Sequence, residues 1–200
     1  MEEGNKIPKN LITIWIWPEM PEKIKECAKT HKLEWFNHIH ITNDNYYHCK
    51  YVDECMDAWM PWKACDYLRM YYLYQHGWVY IDMDCTILKS FSDVLDNEMF
   101  VCEEENKFIA NGIVGAVKNH PMLAHYLHEV ETNYIGSWSQ IFQPWMYFWT
   151  ELVKYSQWTP NITIYPTDWF LPYNHQTGLT NITENSHTNH FYLKSWIPKS

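Results

Sequence analysis

The run PWKACDYLRMYYLYQHG, residues 61–77, passes without a spacer into WVYI and then into Asp82. Pro61 suits the first turn of a helix, and Gly77 suits the left-handed residue that ends one. Ala64, Leu68, Tyr71 and Tyr72 recur at i, i+4, i+7 and i+8, so the spacing predicts a helix with one apolar face. Trp78 to Ile81 is apolar at every position, which predicts an interior strand covered on both sides. A helix that feeds straight into such a strand belongs to a sheet with helices on its faces.

The flanking sequence repeats the alternation. Leu11 to Ile16 reads as a buried strand, Pro21 to Lys32 as a helix, and Ile39 to Thr42 as a second strand stopped by Asn43-Asp44-Asn45. Beyond Asp84, Ile87-Leu88 reads as a turn, Phe91 to Leu95 as a short helix, and Met99 to Cys102 and Phe108 to Val117 as strands. Pro121 to Val130 and Pro144 to Tyr155 read as helices, and Ile162 to Tyr165 as a last strand. After Pro166 the pattern loosens into a long segment with little regular structure. The expectation is an α/β fold in a single domain spanning residues 1–200, since 200 residues at 46% hydrophobic content suffice for one sizeable core.

The charge of -9 gives no basic patch for nucleic acid or anionic lipid. Aromatic residues make up 18%, with 12 Trp and 15 Tyr, whose flat faces suit sugar rings and bases as well as cores. Fourteen of the 15 basic residues are lysine, which leaves Arg69 as the one arginine. Six cysteines without a CxxC pair argue against a zinc site. The N-terminus lacks a signal-peptide pattern, and no stretch approaches the roughly 20 apolar residues of a membrane span. Reduced thiols in a cytoplasm follow as the expectation, although Asn161-Ile162-Thr163 and Asn181-Ile182-Thr183 are glycosylation sequons that point the other way.

Asp82 and Asp84 stand at the carboxyl end of the interior strand, where open α/β sheets bind ligands. In an extended chain the two side chains share a side, about 6.6–7 Å apart. Such a pair suits a hard divalent ion that keeps positions for substrate phosphate. Two other readings stay open: a strand-end cap, and an acid and nucleophile pair for a glycoside. Asp66 and Arg69, three apart, share a face of the preceding helix. Guanidinium suits bidentate phosphate or carboxylate contact, while the plainer alternative is a surface salt bridge.

The run WKACDYLRMYYLYQHGWVYIDMDC resembles the A-x-x-S-D-x-x-R-x-x-x-L-Y-x-x-G-G-x-Y-x-D-x-D segment of DxD glycosyltransferases that use sugar nucleotides. That family contains yeast-type initiating α-1,6-mannosyltransferase and α-1,4-galactosyltransferase, and is similar in its core to the clostridial glucosylating toxins. IPKNLITIWIWP is similar to the family opening I-P-K-x-I-H-x-I-W, IANGIVGAVKNHPML to S-N-x-x-x-x-A-x-x-x-H-P, and HFYLKSW to H-x-x-x-S-W. Ile12 stands where the family has His, Cys65 replaces Ser, His76-Gly77 replaces the double glycine, and Gln143-Pro144 replaces Gly-Pro.

The resemblance implies a GT-A fold with a central mixed, mostly parallel sheet. Residues 1–110 would form the nucleotide-sugar half and 111–200 the acceptor side and closing segment. It implies retaining transfer of a hexose from a UDP- or GDP-sugar to a glycan or other hydroxyl acceptor, with Mn²⁺ or Mg²⁺. Carried over by motif, Trp15 stacks on the base, Asp66 and Arg69 hold the donor sugar, and Asn111 lies beside the reacting sugar. Asp82 faces ribose and metal, Asp84 is the direct metal ligand, His190 is a third ligand with His187 as rival, and Ser195 and Trp196 close over the diphosphate. Trp15 as plain core and Asn111-Gly112 as plain turn are the alternatives. A non-catalytic sugar-nucleotide or glycan-binding module and a nucleotide-sugar hydrolase compete with the transferase reading. The resemblance without a membrane anchor suggests a bacterial or viral enzyme of the cytoplasm.

Overall fold

The computed structural model describes residues 6–17, 19–104, 107–133, 145–155 and 161–193. Strand β1 (Asn10–Ile14) is followed by helix α1 (Glu22–Ala28), which continues as a 3-10 turn over Lys29–His31, and by β2 (Asn37–Ile41). Two helices, α2 (Lys50–Asp57) and α3 (Pro61–His76), lead to β3 (Val79–Ile81). The helix α2 was not anticipated, although Tyr51, Val52 and Cys55 give it a buried stripe at i, i+1 and i+4.

A short strand β4 (Cys85–Ile87) and the pair β5 (Met99–Glu103) and β6 (Ile109–Ala116) come next. Then follow α4 (Pro121–Asn133), α5 (Trp145–Tyr155), β7 (Ile162–Tyr165), α6 (Thr167–Phe170) and β8 (Thr188–His190). Six strands form one sheet in the order β2-β1-β3-β6-β5-β7. The pairs β1/β2, β1/β3 and β5/β7 are parallel, while β6 runs antiparallel to both β3 and β5. The sheet is therefore mixed and mostly parallel, as expected.

Alternation along the strands divides the core. Ile12, Ile14, Tyr80, Val101 and Val114 pack on one face with α2, α3, α4 and α5. Leu11, Val79, Ile81, Phe100 and Ile113 face the other side, where Phe91, Leu95 and Phe170 cover them. Both faces of β3 are thus closed, which explains its unbroken apolar run. At roughly 25 cal/mol per Å² of apolar area, burial on this scale is the main force holding the sheet between its layers.

The segment after Pro166 is more ordered than its composition suggests. Thr188, Asn189 and His190 pair antiparallel with Ile87, Thr86 and Cys85, so Ile87 lies in a strand rather than a turn. Thr188 Oγ1 donates to the Phe170 carbonyl oxygen at 2.6 Å, and His187 N–H donates to that of Trp169 at 2.6 Å. These bonds carry the late segment back across the chain to the end of β3.

Candidate active site

At the end of β3 the chain does not continue extended. The Cys85 N–H donates to the Asp82 carbonyl oxygen at 3.1 Å, which makes residues 82–85 a turn. Asp82 and Asp84 accordingly reach one cavity through a turn and not by same-side alternation in a strand. Met83, between them, is buried against Trp15 and Ile24 and anchors the turn from below. The cavity holds about 330 Å³ and is lined by Trp15, Trp17, Trp62, Met83 and Tyr192 together with the polar groups described next.

Arg69 is the centre of the polar network and is only 6% exposed. Its Nη2 lies 3.0 Å from Asp66 Oδ1 and its Nη1 3.3 Å from Asp82 Oδ1. Nη1 also donates to the Asn111 carbonyl oxygen at 2.9 Å, and the guanidinium carbon sits 4.7 Å from the centre of the Tyr80 ring. Asn111 Nδ2 donates to Asp66 Oδ1 at 3.0 Å, and the Tyr80 hydroxyl donates to Asp82 Oδ1 at 2.6 Å. The surface salt-bridge alternative for Asp66 and Arg69 is excluded by this burial. The guanidinium fork is spent on the protein's own carboxylates and amide, so Arg69 acts by holding Asp66 and Asp82 in place.

Burial pushes the Asp66 carboxyl up, against the opposing pull of Arg69. Burial also disfavours charge on Asp84, yet His190 and the Leu193 N–H hold its carboxyl below the usual range. His190 Nε2 lies 2.8 Å from Asp84 Oδ1 and 3.8 Å from Asp82 Oδ2. The Leu193 N–H donates to Asp84 Oδ2 at 2.8 Å. Although burial lowers the His190 imidazole, Asp84 and Asp82 raise it above its ordinary value.

The structure separates the two histidines. His190 stands at the carboxylate pair, whereas His187 is fully buried among Phe91, Phe170 and Trp169 and pairs with Asp93 at 2.6 Å. Trp15 lies just past β1, 7% exposed and tilted against Trp17 with ring centres 5.1 Å apart. Its indole N–H has no hydrogen-bond partner among the described residues. Asn111 is in β6 rather than in a turn, where its side chain meets Asp66 and Arg69. Ser195 and Trp196 lie outside the described residues, as does Gln143-Pro144.

A divalent ion suits these donors. Asp66 and Asp82 share the Arg69 guanidinium, and Asp84, paired with His190, adds a third carboxylate to the same cavity. Asp84, Cys85 and His190 bring donor atoms within 4.8 Å of one another. Burial keeps the Cys85 thiol protonated by pushing it well above its usual range, so the useful donors are carboxylate oxygen and imidazole nitrogen, a set suited to ions such as Mn²⁺.

Four contributors went unseen in the sequence. Tyr80, a position of the motif and of the apolar strand, carries in its hydroxyl a contact to Asp82 that the sequence does not indicate. Gly112 leaves the space that Asp82 occupies, since a Cβ there would lie 2.5 Å from Asp82 Oδ2. Trp62 carried a helical-face signal, standing four residues before Asp66 and seven before Arg69. Tyr192 lies tilted against His190 with ring centres 4.1 Å apart and has a left-handed φ of 49°.

Comparison with known proteins bears on this geometry. Residues 18–101 match the family described as "Glycosyltransferase sugar-binding region containing DXD motif". A curated relative, inositol phosphoceramide mannosyltransferase 3 of Schizosaccharomyces pombe, is 25% identical over 137 residues. That match covers 58% of this chain and 35% of the relative, so the chain spans about a third of its length. The PaToxG glycosyltransferase structure superposes with a TM-score of 0.60 at 18% identity, covering 74% of this chain and 68% of that one. A glycosyltransferase involved in glycosylation of the major capsid of PBCV-1 superposes with a TM-score of 0.55 at 9% identity, over 94% and 95% of the two chains. These likenesses show the GT-A fold. Residues 18–101 are thus similar to the glycosyltransferases whose sugar-binding region contains a DXD motif.

Proposed function

We propose that the chain is a metal-dependent, retaining glycosyltransferase that moves a hexose from a UDP- or GDP-sugar to a hydroxyl of a glycan acceptor. The observation that carries this is the buried network in which Arg69 braces Asp66 and Asp82 while Asp84 and His190 stand beside them in one cavity. Asp82, Asp84 and His190 would hold Mn²⁺ or Mg²⁺. When bound, such an ion stabilises negative charge on the donor's diphosphate.

The remaining work falls to the chain. Trp15 offers a flat face and an N–H that is unpaired among the described residues, suited to a nucleobase. Asp66 stands where positive charge develops on the hexose and favours it electrostatically. Asn111 fixes Asp66, and Arg69 keeps both carboxylates from drifting, so the site is organised before the donor arrives. In a retaining transfer the departing diphosphate oxygen accepts the proton of the attacking acceptor hydroxyl, and no separate base is required.

The test is a panel of UDP- and GDP-sugars with Mn²⁺, with and without simple acceptors. Asp84→Ala should reduce Mn²⁺-stimulated transfer or donor hydrolysis by about 100-fold or more while far-UV circular dichroism is unchanged. Undiminished activity in that variant removes Asp84 from the metal site. Hydrolysis alone from the wild type would mark a nucleotide-sugar hydrolase, and binding without turnover a non-catalytic module.

A further inference from the structure

Helix α3 presents Trp62, Cys65, Asp66 and Arg69 to the cavity, at i, i+3, i+4 and i+7 on one face. Trp62 lies four residues, about 6 Å, before Asp66 along the helix. It lines the same cavity as Asp66 and Arg69, one turn nearer the start of the helix. Three residues earlier, Trp59 is 79% exposed on the link between α2 and α3. A span of three residues cannot exceed about 10–11 Å, so its Cα stays within that distance of Trp62.

Trp59 has a left-handed φ of 56°, an uncommon conformation for so bulky a residue. The backbone around it is fixed, with the Trp59 N–H donating to the Met56 carbonyl oxygen at 3.0 Å and that of Met60 to Cys55 at 2.9 Å. The left-handed residue closes helix α2, and it leaves a large apolar side chain exposed to water on a Cα within about 10–11 Å of that of the cavity-lining Trp62.

We propose that Trp59 and Trp62 form an acceptor subsite at the mouth of the cavity, their indole faces stacking on the apolar face of a pyranose ring in a glycan. The inference rests on the donor reading of the cavity and adds where the acceptor lies. A sugar fits better than a lipid surface because Trp62 is turned into a cavity rich in carboxylates, and the chain's net charge of -9 opposes anionic membranes. Trp35 serves as an internal comparison. It is 82% exposed with a φ of 66°, but it precedes β2 at the amino end of the parallel strands, opposite the site.

The test measures binding of methyl α-D-mannopyranoside, methyl α-D-glucopyranoside and methyl β-D-galactopyranoside by saturation-transfer NMR, with UDP or GDP and Mg²⁺ present. At least one glycoside should bind, Trp59→Ala should weaken it about fivefold or more, Trp62→Ala about tenfold, and Trp35→Ala not at all. Because Trp59 is exposed, its variant should fold even if Trp62→Ala does not. Binding that is indifferent to Trp59→Ala, absence of glycoside binding, or Trp59-dependent flotation with phosphatidylcholine vesicles overturns the subsite. Calorimetric titration with UDP and GDP separates the two readings: intact nucleotide binding with Trp59-indifferent glycoside binding removes only the subsite, whereas loss of both removes the donor reading as well.

Discussion

A Cβ built on Gly112 would lie 2.5 Å from Asp82 Oδ2 and 3.2 Å from its carboxyl carbon. Because Asp82 is fixed from three other sides, by Arg69, by the Tyr80 hydroxyl and by its own N–H donating to the Gly112 carbonyl oxygen at 2.8 Å, it has little room to yield. Gly112→Ala should therefore turn the carboxylate away from the cavity while leaving the strand paired. We expect donor turnover to fall by about 10-fold or more, at a stability cost in urea of only about 1–2 kcal/mol, typical of a local packing change. Turnover near that of the wild type would show that the Asp82 position is not critical. At this scale Asp66 and Arg69 were legible from the helical period and Asp82 from the strand end, whereas Asp84 shares their cavity through a turn that the extended geometry did not anticipate. Gly112 was not legible, since its importance lies in a contact between the end of β3 and β6 that local sequence does not encode, and the Tyr80 hydroxyl was not, since it depends on the turn that brings the Asp82 carboxylate back beside it.

Helix α3 and strand β3 form the element pair that carries the site, and the junction between them leaves no slack. Gly77 has a φ of 69° and closes the helix by donating its N–H to the Leu73 carbonyl oxygen at 2.8 Å. An added Cβ would lie 2.2 Å from the Lys118 backbone nitrogen, so both conformation and space demand glycine. Gly77→Ala should cost about 1–3 kcal/mol for the left-handed backbone, with the clash adding to it. Urea unfolding should show a lower midpoint at unchanged slope, and a loss below about 0.5 kcal/mol would mean that the junction relaxes freely. This junction was readable because Pro61, the helical stripe, Gly77 and the apolar run are all local signals. The pairing of β4 with β8 was not, because each strand has three residues and its partner lies about a hundred residues away. That pairing brings His190 to Asp84, which is why the choice between His187 and His190 could not be made from spacing alone.

Across the whole molecule, buried neutral imidazoles set the response to acid. His31 is fully buried, and its Nε2–H donates to the Cys85 carbonyl oxygen at 2.8 Å, leaving Nδ1 without a partner among the described residues. Burial pushes it down to about 4 from the ordinary 6.5, so between these values the unfolded chain binds a proton that the folded chain refuses. Stability is thus complete above pH 6.5 and is lost as pH falls through 4. Burial lowers His120 and His187 as well, with the same sign, while Asp84 and Asp93, held low by their histidine partners, add losses at still lower pH. His190 is raised and works in the opposite direction, its contribution growing toward acid. The net expectation is a protein whose stability falls between pH 6.5 and 4, with His31 supplying up to about 3 kcal/mol at 1.36 kcal/mol per pKa unit. His31→Gln keeps an N–H donor toward Cys85 but cannot titrate. Urea midpoints at pH 7.5 and 4.5 should differ less in that variant than in the wild type, by about 2–3 kcal/mol once converted to free energy. If the two proteins lose stability in parallel, the acid response must arise from the carboxylates, whose losses begin only near pH 4 and below.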